Sequence, residues 1–253
     1  MGVHMSITER QNEIIELLGR EGSLSVARLA ELTYISPSSI RRDLGRLEQM
    51  GYVKRTHGGA TLPHMLGRAP SLPNRMQESV GAKRIIARRA AALVKEGMSV
   101  MLDASSTSSY LVPHLARIKD VTVFTNNMAT AMSAINHGLN AYCLGGSSIG
   151  GSVALGGSIT ESAIASLTPD LLFFSSRGLS EDGLITDPTE EENHLRKLMI
   201  AKAKKSVFLC DGAKFGSVCL HRLATLDEID YAVFDQPFPT LKTKARIIES
   251  DTE

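Results

Sequence analysis

The sequence has no long apolar run, almost no net charge and few cysteines. No stretch of its 253 residues reaches the roughly 18 apolar positions of a membrane helix. No leader pattern opens it, so a cytoplasmic protein with no membrane partner is expected. Lys and Arg number 28 against 27 Asp and Glu, leaving a net charge of +1. Overall charge therefore gives no sign of a nucleic-acid binder, and such a reading must rest on local pattern. The three cysteines, Cys143, Cys210 and Cys219, are odd in number and lack metal-ligand spacing. Cys143 and Cys210 close apolar runs and read as buried free thiols. The histidines show no i, i+4 pairing, and Cys219-Leu220-His221 is too little for a metal site. Neither metal nor cofactor is expected.

What is present is ordinary globular material, 43% hydrophobic and 22% charged, in a length that suits a small domain followed by a medium one. Residues 6–62 are rich in helix signals. Residues 63–82 contain three prolines and no periodicity, and read as a linker. From Lys83 to residue 253 short apolar runs alternate with helical stretches: MSVMLD, VTVFTN, AYCLGG, DLLFFSS, SVFLCD and YAVFD. Continuously apolar strands separated by helices predict an α/β domain with a mostly parallel sheet.

In the first domain a helix opens on a Ser6–Glu9 capping box and stops at Gly22, with Ile14, Leu17 and Leu18 on one face. Ser25 caps a shorter second helix. Ser36 caps a third, with Pro37 at its first position and Gly51 at its end. Three helices with a tight turn before the third make a helix-turn-helix, and YVKRTHGGATL adds two short strands, a wing. On a wheel of about 100° per residue Ile40, Leu44 and Leu47 face the core. Arg42 lies opposite them, flanked by Ser38, Gly45 and Arg46, with Arg41 at the shoulder. Arginine forks match phosphates and the guanine edge. The expected DNA-contacting set is Ser36, Ser38, Ser39, Arg41, Arg42 and Arg46 on the helix, with Lys54, Arg55 and His57 on the wing. Asp43, near the core side, is expected to pair with a neighbour.

In the second domain the strand ends are where a parallel sheet binds ligands. Asp103 ends one strand, and Ser105, Ser106 and Thr107 follow at a helix start suited to phosphate. Other strand ends carry Thr125 and Asn126, Gly145 and Gly146, Arg177, and Asp211 with Lys214. Thr189 and Glu192 read as a capping box.

Ser36–Ala60 closely resembles the signature of the DeoR family of bacterial transcriptional regulators, through Ser36, Ile40, Arg41, Arg42, Asp43, Leu44, Leu47, Glu48, Gly51, Arg55, His57, Gly58, Gly59 and Ala60. The resemblance continues through the strand-end residues Asp103–Thr107, Thr125-Asn126, Gly145-Gly146, Gly156 or Gly157, and Asp211–Lys214. Ser105 stands where the family usually has glycine. The resemblance implies a winged helix-turn-helix joined to a sheet of ribose-5-phosphate isomerase type. It implies a repressor of a carbohydrate operon that responds to a sugar phosphate, with operator DNA as partner, and it makes Glu192 a further ligand-site candidate. A homodimer or homotetramer is expected, because one helix-turn-helix reads one half-site. The alternative is a sugar-phosphate isomerase-like enzyme carrying a DNA-binding domain. Against it, Arg177 and Gly178 occupy the loop where such isomerases carry acids, and Glu181 and Asp182 come later.

Overall fold

The computed structural model describes residues 8–49, 52–62, 72–150, 152–238 and 242–250. The chain divides into two units, Met1–Arg75 and Met76–Glu253, each with its own apolar core.

In the first unit α1 (Glu9–Glu21) starts from Thr8, whose hydroxyl accepts from the Gln11 amide at 3.3 Å, while the Gln11 side chain accepts from the Thr8 amide at 3.2 Å. The capping box is therefore Thr8–Gln11, two residues after the expected Ser6–Glu9. The same spacing occurs twice in succession, and Ser6 lies outside the described residues. The helix stops at Gly22, whose φ of 84° favours glycine. Strand β1 (Ser23–Ser25) leads into α2 (Val26–Thr33), where Ser25 Oγ accepts from the Arg28 amide at 3.1 Å. Helix α3 (Pro37–Gln49) follows, and its expected stop at Gly51 lies outside the described residues. The wing is β2 (Lys54–Thr56) antiparallel to β3 (Gly59–Thr61). Strand β1 pairs with the far side of β3, giving the order β1-β3-β2. Ser-Leu-Ser is too short to announce itself as a strand. Its pairing explains Gly59, where a Cβ would run into the Leu24 carbonyl. Ile14, Leu18, Leu29, Ile40, Leu44 and Leu47 are fully buried, and Leu17 lies at the edge of that cluster.

The stretch read as a linker is partly helical. Residues 63–71 lie outside the described residues, but α4 (Leu72–Gln77) and α5 (Val80–Ala91) cover most of the rest. Tertiary ties order it, among them a 2.8 Å bond from the Tyr110 hydroxyl to the Met76 carbonyl.

The second unit continues with β4 (Ser99–Leu102), α6 (Ser106–Ser109), α7 (Val112–Leu115), β5 (Thr122–Thr125), α8 (Met128–Asn136), β6 (Asn140–Cys143), β7 (Ser147–Ser148), β8 (Leu155–Gly156), α9 (Ser158–Ala165) and β9 (Leu171–Ser175). Then come β10 (Gly178–Leu179), β11 (Leu184–Asp187), α10 (Glu190–Lys202), β12 (Lys205–Cys210), β13 (His221–Thr225), β14 (Tyr231–Phe234) and β15 (Arg246–Ile248). All six apolar runs lie in one parallel sheet of order β15-β14-β12-β9-β4-β5-β6. Strand alternation splits its side chains between two cores. Val100, Leu102, Phe173, Val207 and Leu209 pack with α5 and α7, whereas Met101, Leu172, Phe174, Phe208 and Cys210 pack with α9 and α10. Burial on both faces is why the runs of the inner strands β4, β9 and β12 are continuously apolar. Serines near the starts of β4 and β12 are each pinned by the aspartate just before the adjacent strand, β9 or β14. Asp170 accepts from the Ser99 amide and hydroxyl at 2.8 and 2.7 Å, and Asp230 accepts from those of Ser206 at 2.8 and 3.1 Å. A side sheet, β10-β11-β13, is antiparallel.

Of the two cysteines expected to be buried, Cys210 is, and its thiol is pushed up to about 12 by burial. Cys143 is exposed, because its apolar run forms the edge strand β6.

Candidate functional site

The first unit presents one basic face. Ser36, Ser38, Arg41, Arg42 and Arg46 are exposed, Ser39 is half-buried, and Lys54, Arg55 and His57 on the wing are exposed. The opposite side of α3 is anchored. Asp43 is fully buried and accepts from Arg10 at 2.8 and 3.0 Å and from Gln11 at 3.3 Å, tying α3 to α1. Ser36 Oγ accepts from the Ser39 amide at 3.4 Å and lies 3.1 Å from both the Ser38 and Ser39 hydroxyls. The wing is fixed to the same helix by the Arg55 amide, which donates to Glu48 at 3.0 Å. A Cβ on Gly45 would meet nothing, so open space lies over mid-helix.

In the second unit the chain runs from β4 outward to β5 and β6, then returns to β9 on the other flank of β4. This is a topological switch point, where strand ends diverge and leave a crevice. Lys214 spans it. Its ammonium donates to Ser175 Oγ at the end of β9 (2.8 Å), pairs with Asp211 after β12 (3.1 Å) and reaches Thr107 Oγ1 in α6, just after β4, at 3.4 Å. Ser105 and Ser106, just before Thr107, are buried.

Other expected residues are engaged within the fold. Both oxygens of Asp103 are used. One accepts from Arg196 at 2.8 Å and from the Ser175 amide at 3.3 Å, the other from the Ser105 amide at 3.1 Å and the Ser108 hydroxyl at 2.8 Å. Glu192 forms no capping box. Thr189 makes no side-chain cap, and the Glu192 carboxylate takes the Arg196 guanidinium at 2.8 Å, because that buried cation one turn along α10 needs anions. Asp187 is its third partner, at 3.1 Å. Burial opposes the charge on Arg196, but the three carboxylates outweigh it and raise its pKa. Thr125 Oγ1 accepts from the Asn127 amide at 3.1 Å, and Asn126 donates to the Leu155 carbonyl at 2.8 Å. The Asn126 Oδ1 atom is buried with no partner among the described residues. Gly145 gives its carbonyl to Thr160 at 2.6 Å, and a Cβ on Gly146 would run into that same hydroxyl and the Gly156 carbonyl. These two glycines serve close packing onto the start of α9. Arg177, half-buried, pairs with Glu78 at 3.1 Å.

Residues 10–65 match the DeoR-like helix-turn-helix domain, and residues 78–236 match the DeoR C terminal sensor domain. The chain belongs to the DeoR family. It is 32% identical to the HTH-type transcriptional regulator GolR of Listeria innocua, over 90% of this chain and 90% of that one. It is 34% identical to the HTH-type transcriptional repressor GlcR of Bacillus subtilis, over 90% and 88%. Among solved structures, ribose 5-phosphate isomerase A from Methanocaldococcus jannaschii overlaps 53% of each chain at 18% identity with a TM-score of 0.40, too partial a likeness to bear on activity. This chain is a DeoR-type transcriptional regulator.

Set beside the DeoR signature, Ser105 replaces glycine without strain. Its φ is −78°, and its hydroxyl accepts from the Ser108 amide at 3.1 Å as the cap of α6. Three residues beside this candidate cluster escaped the sequence reading. Ser175 ends an apolar strand and resembles any strand-terminal serine. Glu78 lies in the supposed linker. Lys83 is 2% exposed, and its Nζ donates to the Glu78 carbonyl at 2.6 Å. Burial first, then the neighbouring Lys214 charge, lowers Lys83 to about 8, against the pull of Glu78 and Asp211. The missed signal was spacing: Lys83 shares the apolar stripe of Ile86, Ala87 and Ala90, at i, i+3, i+4 and i+7.

Proposed function

We propose that this regulator represses a carbohydrate-metabolism operon and lets go of its operator when a phosphorylated sugar binds at the switch point of the sensor sheet. The observation that carries the reading is the convergence of three strand ends on Lys214, with Lys83 and Arg177 bringing two more cations nearby. Ammonium and guanidinium groups beside small hydroxyls and a helix start are the chemistry that holds a phosphate. Thr107, Ser106 and Ser105 would line the phosphate, and the unpartnered Asn126 Oδ1 offers an acceptor to a sugar hydroxyl. Asp103 and Glu192 act by positioning, through Arg196. Gly145 and Gly146 shape the adjoining loop.

Ser36, Ser38, Ser39, Arg41, Arg42 and Arg46 would meet the major groove, and Lys54, Arg55 and His57 the backbone beside it. Two such heads are needed for a two-fold operator, so the working form is a dimer or tetramer, in the cytoplasm with its DNA.

Turnover of the sugar is not part of this function. Isomerisation needs a free carboxylate base, and the acids around the cluster are already paired: Asp211 with Lys214, Glu78 with Arg177 and Asp103 with Arg196. Glu181 and Asp182 are exposed at the β10–β11 turn, where Asp182 accepts from Ser180. The test is a thermal-shift screen of sugar phosphates followed by gel shifts on the promoter. A ligand at about 100 times its Kd adds about 2.7 kcal/mol to stability and should free the DNA. Conversion of ribose 5-phosphate to ribulose 5-phosphate, or a sensor indifferent to every phosphorylated sugar, would contradict the reading.

A further inference from the structure

The segment Met76–Ser79 directly follows Arg75, where the first unit ends. It is held to the second unit by three side chains. Tyr110 donates to the Met76 carbonyl at 2.8 Å, Lys83 donates to the Glu78 carbonyl at 2.6 Å, and Arg177 pairs with the Glu78 carboxylate at 3.1 Å. Two of those three fastenings are cations of the candidate phosphate site. A third feature sits at the end of the segment. Ser79 has φ 48° and ψ 41°, in the left-handed region that a serine rarely adopts, and its side chain makes no capping bond to α5. Its carbonyl accepts the Lys83 amide at 3.0 Å, the first bond of α5, and the fastenings just before it help to hold the left-handed turn.

We propose that Met76–Ser79 is a ligand-released strap, in which the Glu78 carboxylate occupies Arg177 until the phosphate of the effector displaces it. The inference rests on the switch-point cluster being the effector site. An arriving phosphate brings about two negative charges. It attracts Arg177 and Lys83 and repels Glu78, which is 38% exposed and free to swing into solvent. Losing both Glu78 fastenings weakens the hold on the strap, which keeps the Tyr110 bond to Met76 and the Lys83 amide bond to Ser79, and Ser79 relaxes from its left-handed conformation. The strap directly follows Arg75, the end of the first unit, so its release acts on the chain that leads to the DNA-binding unit. Glu78 thereby sets the threshold: it is an internal anion that competes with the effector for the same guanidinium.

The test uses the full chain and inorganic phosphate as probe. Hydrogen exchange is followed over peptides spanning residues 76–83, and phosphate affinity is measured by calorimetry, for the wild type, Glu78→Gln and Lys214→Met. In the wild type, phosphate should speed exchange in that stretch several-fold. In Glu78→Gln exchange should be faster from the start and gain less from phosphate than in the wild type, because the Arg177 pair is already lost and the Lys83 bond to the residue-78 carbonyl remains. The same variant should bind phosphate about 3- to 10-fold more tightly, because the competing charge is gone. A purely structural Glu78 would raise exchange and leave affinity unchanged, and that result overturns the proposal. Phosphate binding that Lys214→Met weakens, with wild-type exchange over 76–83 unaltered, overturns the strap and leaves the site standing. Phosphate that does not bind the wild type, or binds Lys214→Met equally well, removes the site and the strap together.

Discussion

Lys214 owes its position to three strand ends, through Ser175, Asp211 and Thr107. Replacing it with Met keeps most of the stem and removes the charge-assisted bonds. Effector affinity should fall by about 1.5–3 kcal/mol, roughly 10- to 150-fold. DNA affinity without effector should stay near wild type, and a titration of effector into the protein–operator complex reads both. Equal release midpoints would remove Lys214 from the site. Lys83 adds a pH signature. It titrates near 8, depressed by burial and by Lys214, with Glu78, Asp211 and Arg177 the other charges around it. A phosphate ester is already dianionic above about pH 7, so raising the pH from about 7 to 9 should weaken effector binding as Lys83 loses its proton. Stability without effector should move the other way. The folded state holds Lys83 below its ordinary value, so the unfolded chain binds more protons between about 8 and 10.5, and this group's contribution to stability rises across that window. Calorimetric titrations and urea melts at matched pH values distinguish the two trends. A flat effector affinity across pH 8 would place Lys83 outside the ligand's field.

In the proposed function helix α3 and the wing would divide the work of reading DNA. Arg42 projects from the face opposite the buried Ile40, Leu44 and Leu47. Arg42→Ala should weaken operator binding by about 1–3 kcal/mol and relax specificity at one base position. Arg55, on β2, lies where the wing would follow the backbone. Arg55→Ala should weaken binding to all sequences and flatten its salt dependence by about one counterion. Gel shifts on operator and scrambled DNA at several salt concentrations separate the two. Unchanged affinity of Arg42→Ala for both DNAs would remove α3 as the recognition helix. Both residues depend on the buried Asp43–Arg10–Gln11 contacts, which fix α3 against α1.

At the scale of the whole molecule, one reading head recognises one half-site, and the repressor reading requires at least two. Light scattering should therefore find a dimer or larger species. On a palindromic operator the binding curve should saturate at two reading heads per site. A monomer at the concentrations that saturate the operator would contradict this. The sensor sheet explains why the ligand chemistry gathers where it does. The chain passes β4 in both directions, so the loops after β4 and β9 part from each other, and the loop after β12 closes over the gap with Lys214.

Much of this was legible without coordinates. The winged helix-turn-helix followed from caps, a tight turn and a helical stripe, all set by interactions within a few residues. The six strands, five of them buried, followed from their continuous apolar character. Lys214 and the Ser105–Thr107 stretch stand out in the sequence because each lies just beyond the end of such a strand. Tertiary structure decided the rest, because it turned on partners distant in sequence. Asp103 and Glu192 look like site residues until Arg196 claims both, 93 and 4 positions away. Cys143 ends an apolar run, yet it lies on an edge strand, and only the strand order reveals that. Thr8 rather than Ser6 caps α1, although either satisfies the local pattern. Glu78 and Lys83 lie near what reads as a linker, and their roles exist only because Arg177, 99 residues from Glu78, folds back to meet it. Local hydrogen bonding and hydrophobic period are written into neighbouring residues. The pairing of buried charges is set by which chain segments the sheet brings side by side.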